Sequence, residues 1–196
     1  MTPPLRDIAH AATPSCSRGV GVRRLDHVNF LAADVLANAE FQEQLLGARP
    51  TEQIRLDSGR IAARWLTYTD KSYDVVYTED WSGSSGRLHH IAFAADTRED
   101  ILRAADLAID TGVFIETGPH KHAVQQTFFL YVCEPGGNRI ELCNPLTRLV
   151  LAPDWPLVTW TEAERAKGQA WACGPSRPST YRGPAHVTAR GCRESR

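Results

Sequence analysis

The feature that most constrains the fold is an internal repeat. Arg24-Leu25-Asp26-His27-Val28-Asn29-Phe30 returns as Arg87-Leu88-His89-His90-Ile91-Ala92-Phe93. Such self-similarity is the mark of one supersecondary unit used more than once. Each copy alternates as a short strand does. A helical pattern follows each. The first runs from Ala37 to Leu46 and stops at Gly47; the second runs from Glu99 to Ile109 and stops near Gly112. Glycine just past a helix is a usual terminator. Three strand-like segments then follow in each copy. They are Thr51 to Leu56, Arg60 to Tyr68 and Tyr73 to Thr78 in the first, and Phe114 to Glu116, Gln126 to Cys133 and Arg139 to Cys143 in the second. The expected fold is α+β, two βαβββ modules spanning 23–80 and 86–147 within a domain of 23–147.

The flanks read differently. Residues 1–22 are rich in Pro, Ser, Thr and Gly and read as a flexible lead-in. Residues 148–173 read as an extension packing near the site. Residues 174–196 carry Arg177, Arg182, Arg190, Arg193 and Arg196 and read as a solvated basic tail.

Composition excludes little but helps. The net charge of −1 over 196 residues gives no bulk support to nucleic-acid or membrane binding. Five cysteines form no CxxC pair, which suits a reducing cytoplasm, and no apolar run is long enough to span a bilayer. A cytoplasmic protein is expected.

Strand parity picks out a candidate metal site. Leu25, His27 and Asn29 should share one face, with Val28 and Phe30 turned to the helix. Leu88, His90 and Ala92 should share the matching face, so parity selects His90 over His89 as the partner of His27. On the last strand Arg139, Glu141 and Cys143 face the same cavity, opposite the packing residues Ile140 and Leu142. Two imidazoles and one carboxylate are the donor set of the non-haem Fe(II) facial triad. Spacing alone leaves two readings open: a metal site, or three hydrogen-bonded strand residues.

Residues 122–141 narrow this. They read His-Ala-Val-Gln-Gln-Thr-Phe-Phe-Leu-Tyr-Val-Cys-Glu-Pro-Gly-Gly-Asn-Arg-Ile-Glu. The segment resembles the signature of type I extradiol catechol dioxygenases of the vicinal-oxygen-chelate superfamily. That signature joins a His, an apolar-Tyr pair, an acidic-Pro-x-Gly turn and a Glu ligand. His120 departs from it, standing where a small or β-branched residue is usual. Arg87-Leu88-His89-His90 and Pro156-Leu157-Val158-Thr159-Trp160 are also typical. The likeness runs from about Arg24 to about Trp171 and is greatest to the catechol 2,3-dioxygenase and homoprotocatechuate 2,3-dioxygenase branches. It implies Fe(II), or less often Mn(II), held by His27, His90 and Glu141. It also implies a catecholic substrate and O2, with His122 and Tyr131 hydrogen-bonding the substrate and Asn29 and Trp65 lining the pocket.

Three departures bear on function. The family usually carries another pair of modules before the catalytic pair, so an exposed face and a homo-oligomer are expected. A second-sphere His at the start of the third strand is replaced by Tyr73, a poor proton acceptor at neutral pH, so slower turnover is expected unless His89, His120 or His122 substitutes. Thr117 precedes Gly118-Pro119 where one branch places an Arg that grips a substrate carboxylate. Arg165 and Lys167 offer other cations, but equally a solvated helix face. A neutral or weakly polar catechol is expected. Rival readings are another metal enzyme of the superfamily, an isomerase or thiol transferase; a non-catalytic aromatic-binding module or a subunit that needs a partner half; and, on the tail alone, a nucleic-acid binder.

Overall fold

The computed structural model describes residues 19–84, 86–145 and 154–166. The first module comprises β1 (Arg24–Ala32), α1 (Val35–Leu46), β2 (Arg49–Arg55), β3 (Ile61–Thr67) and β4 (Val75–Glu79). The second comprises β5 (Arg87–Ala94), α2 (Arg98–Thr111), β6 (Ile115–Lys121), β7 (Phe128–Cys133) and β8 (Arg139–Asn144). Then come β9 (Val158–Thr161) and the short α3 (Glu162–Ala166).

Local chemistry sets the helix ends. Asp34 accepts the Ala37 N–H at 3.0 Å, and Thr97 and Asp100 form a reciprocal capping box. Gly47 and Gly112 both end their helices at φ 71°, a conformation that costs glycine little. Each helix covers its own module. Val35 and Ala39 pack with Ala32, Leu66 and Tyr77; Ile101, Ala104 and Ala105 pack with Phe128 and Leu130. Burying a side chain such as Ile101 or Leu66 stabilises by about 1.5–3 kcal/mol.

The strands form one mixed nine-stranded sheet, ordered β6-β7-β8-β5-β1-β4-β3-β2-β9. β1 and β5 pair antiparallel at its centre, and each pairs in parallel with the last strand of its own module, β4 or β8. The sheet is therefore pseudo-symmetric about the β1–β5 seam. Val124, between β6 and β7, packs against Ile54, Trp65 and Tyr73 of the first module, so the ends of the sheet curl toward each other. Asp80 anchors the passage between modules, accepting from Arg87 Nε at 2.7 Å and the Ser82 N–H at 2.9 Å.

The structure corrects the strand faces. The register of β1 against β5 slips twice, at Asp26 on β1 and at His89 on β5. Each slip is a β-bulge, with two residues facing one. Leu25 is therefore 53% exposed instead of sharing the His27 face, and Asp26 is buried in its place. Phe30 does not bury itself under the helix; it is partly exposed and stacks on Tyr77. β7 starts at Phe128, two residues later than its pattern suggests, because Gln125 and Gln126 have φ of 57° and 61°. β9, unread in the sequence, adds to the sheet edge beside β2, and its Trp160 packs on the cluster containing Trp65 and Tyr73. Val20 packs on the second module's core. Residues 1–18 and 167–196, with Lys167 and the basic tail, lie outside the described residues. Arg165 lies over the Trp81 ring.

Candidate metal centre

The site sits on the central seam. His27 pairs with Ala92 on β5, and Ala92 pairs with Glu141 on β8. Ala92 is fully buried and has only a methyl group, so His27 and Glu141 lean over it and meet. His27 Nε2 lies 3.2 Å and His90 Nε2 2.9 Å from Glu141 Oε2, and the two Nε2 atoms are 3.0 Å apart. All three residues are buried, and their ligand atoms lie within 4.8 Å of one another.

The bulges supply what strict alternation does not. Asp26 Oδ2 accepts from His27 Nδ1 at 2.8 Å. In the neutral tautomer that leaves the His27 Nε2 lone pair aimed at Glu141 and His90. At the equivalent place on β5, His89 Nδ1 lies 2.6 Å from His90 Nδ1, and Arg139 lies against the His89 ring. Parity reasoning missed Asp26 entirely. The acid just before the repeat's histidine was its only trace in the sequence.

Electrostatics favour a cation here. Burial alone would raise the Glu141 carboxyl, but the facing imidazoles of His27 and His90 hold it well below the ordinary range. Burial pulls His90 down, against the attraction of Glu141. An ionised carboxylate and a neutral imidazole are the metal-binding forms. Asp26 and Glu141 are two buried carboxylates at one site. Such charges are expensive unless compensated. A divalent ion with nitrogen and oxygen donors fits both the charge and the donor set.

The remaining candidates surround this centre. Tyr73 is buried, packs edge-on to His27 with ring centroids 4.8 Å apart, and its hydroxyl lies 3.2 Å from Thr127 Oγ1. The Tyr131 ring is 5.2 Å from that of His90, and its hydroxyl is 3.5 Å from His122 Nε2. His122 stacks flat on Phe129 at 3.7 Å. Burial, then the nearby Glu141, raises the Tyr131 phenol well above its usual value. Burial lowers His122 to about 4. Both are therefore uncharged at neutral pH. Asn29 is buried and accepts from Thr78 Oγ1 at 3.0 Å. Trp65 is buried in the cluster with Tyr73 and Val124, and its Nε1 donates to Gln125 at 3.1 Å in the favoured amide orientation. Arg139 is paired bidentately with Glu116 and covers the Tyr131 ring. His120 is not one of the converging donors His27, His90 and Glu141; its ring is 6.5 Å from that of Phe129.

Paired βαβββ modules with a two-histidine, one-carboxylate centre on their seam define a class of protein. The chain belongs to the Glyoxalase/Bleomycin resistance protein/Dioxygenase superfamily, which it matches over residues 24–142. It is 36% identical to a metapyrocatechase of Geobacillus stearothermophilus over 156 residues, covering 79% of this chain and 47% of that protein. It is 38% identical to a manganese-dependent 2,3-dihydroxybiphenyl 1,2-dioxygenase of Geobacillus genomosp. 3 over 157 residues, covering 79% of this chain and 50% of that protein. Among solved structures, homoprotocatechuate 2,3-dioxygenase from Arthrobacter globiformis superposes with a TM-score of 0.69 at 29% identity, over 79% of this chain and 47% of that one. The chain spans about half the length of the curated relatives it matches. No helix among the described residues is long and apolar enough to cross a membrane.

Proposed function

We propose that this chain is an extradiol ring-cleaving dioxygenase acting on a neutral or weakly polar catechol with O2, in the cytoplasm. The observation that carries this reading is the convergence of His27, His90 and Glu141 on one point, with Tyr131 and His122 beside it. Fe(II), or Mn(II), held by those three ligands would supply Lewis acidity and open coordination positions for both reactants. In the overall reaction a ring carbon–carbon bond next to the diol breaks. Both atoms of O2 enter the product, a semialdehyde.

The chain's own residues orient and protect. Tyr131, kept protonated, donates a hydrogen bond to a substrate oxygen. His122, unprotonated and fixed against Phe129, accepts one from a substrate hydroxyl. Trp65, Val124 and Trp160 belong to an apolar cluster beside Tyr73 and favour an aromatic ring over water. Tyr73 donates but is a weak base, since a phenol has a reference pKa of about 10. Loss of general-base help at that position costs roughly 10²–10⁴-fold, so turnover is slow unless the unprotonated His122 takes over that role. Thr117 offers no positive charge, and Arg139 is engaged by Glu116.

The test is anaerobic loading with Fe(II), followed by catechol in oxygenated buffer. The expected result is a yellow semialdehyde that does not form with Glu141→Ala. One tightly bound metal without colour would favour the alternative, an aromatic-binding module or a subunit whose partner supplies the other half. That alternative draws on the half-length match to the relatives.

A further inference from the structure

We propose that Asp26 is the positioning residue for the metal ligand His27, delivered to it by the β1 bulge. The proposal rests on the reading that His27, His90 and Glu141 hold a divalent metal. Without the bulge, Asp26 would point to the opposite face of the sheet from His27, because neighbouring strand residues alternate. The extra residue turns the Asp26 carboxylate to the same side, where it reaches Nδ1 at 2.8 Å with its side chain fully enclosed.

A second contact holds the bulge. Lys71 Nζ donates to the Asp26 carbonyl oxygen at 2.6 Å and pairs with Asp74 Oδ1 at 2.6 Å. Asp74 is in turn fixed by the Tyr68 N–H at 2.8 Å and the Thr67 hydroxyl at 2.9 Å. The loop that carries Tyr73 thus also clamps the backbone of Asp26. Arg24 reaches the same carboxylate at 3.5 Å from an exposed position.

The pseudo-symmetry argues that this is a device and not an accident of one strand. Both bulges fall on the residue just before a ligand histidine, and in both the bulged side chain meets that histidine's Nδ1. The partners differ: a carboxylate behind His27, an imidazole behind His90. A carboxylate accepting Nδ1–H fixes the tautomer and the ring plane and makes Nε2 a stronger donor. His27 is therefore the more firmly oriented ligand of the two.

The experiment titrates Mn(II) into the full chain and its Asp26→Asn and Asp26→Ala variants, reading free ion by its EPR signal, with melting of the metal-free proteins in parallel. Outer partners of this kind are worth roughly 10–100-fold in metal affinity. Asp26→Ala should lose that much. Asp26→Asn should lose less, because its amide oxygen still accepts from Nδ1–H. The metal-free Asn variant should melt no lower than the parent, since a buried charge has been removed. Equal Mn(II) affinity in parent and Asn variant would overturn the proposal. So would a lower melting point with unchanged affinity of the folded protein, the pattern of a merely structural carboxylate. Should the Ala variant not fold, the Asn variant decides. A parent chain that binds no Mn(II) would overturn the metal-site reading itself.

Discussion

Ala92 offers the sharpest test of how the seam builds the site. Adjacent strands lie about 4.8 Å apart, so β1 and β8 are about 10 Å apart across β5. His27 and Glu141 close that gap to 3.2 Å by leaning over Ala92, their shared neighbour in register. Ala92 is fully buried against Phe129 and Cys143, so added carbons have nowhere else to go. Ala92→Val inserts two methyl-sized groups beneath the meeting point. Overpacking of this size costs about 1–3 kcal/mol. The strain is relieved most directly by parting His27 from Glu141, which transfers the cost to metal binding. At about 1.4 kcal/mol per tenfold, that is a loss of roughly 5- to 150-fold in affinity. Ala92→Gly, which opens space, should keep the metal and cost only about 0.5–1 kcal/mol of strand stability. Mn(II) titration with melting curves of the metal-free proteins measures both. A Val variant that binds within twofold of the parent at unchanged stability would refute the reasoning.

Three further outcomes are expected. Tyr73→His should speed ring opening, because an imidazole titrates near neutrality; stopped-flow rates unchanged or lower would count against a basic role at that position. The Asp80 carboxyl is held down to about 2, chiefly by Arg87, so it adds stability above its unfolded value of about 3.9 and loses it as pH falls toward about 2. Asp80→Asn should therefore melt well below the parent at pH 7 and close to it only at about pH 2 and below, and an equal gap at both pH values would contradict this. Phe41 and Leu45 are 54% and 66% exposed one turn apart on α1. Self-association through that face should show in sedimentation and weaken in Leu45→Lys, whereas a monomeric parent at high concentration would remove the idea.

Much of the fold was legible in the sequence because its signals are local. Gly47 and Gly112 mark helix ends without reference to partners, and the repeat puts His27 and His90 in one frame. Parity worked from His27 to Asn29 and from His90 to Ala92, because both stretches lie between the bulges. It failed at Leu25, Asp26 and Phe30 because a bulge is a property of two paired strands, and one strand read alone does not contain it. β9 escaped for the same reason: it becomes a strand by pairing with β2, about 100 residues earlier. Thr127 and Gln125, which touch Tyr73 and Trp65, carried no readable signal, since their contacts cross from one module to the other.

On the proposed reading of the centre, the seam also explains why a repeated module supplies three ligands and not four. Two rows cross it, related by the pseudo-symmetry. One runs His27, Ala92, Glu141; the other runs His90, Asn29, Val76. Val76 thus stands where a perfect repeat would place a second carboxylate, and it is buried against Tyr73 and Trp65. Closed sites with four protein ligands are typically structural, whereas catalytic sites keep a position free. The first module therefore presents an apolar side chain where the second presents Glu141, which would leave a metal held by His27, His90 and Glu141 without a fourth protein ligand on that side. Val76→Glu would restore the missing carboxylate. That variant should bind Mn(II) at least as tightly as the parent, and rise further in melting temperature when the ion is added, yet form no semialdehyde from catechol. Ring opening at the parent rate would refute the assignment of the Val76 side as the open one. Weaker Mn(II) binding would show that Val76 does not face the centre as Glu141 does.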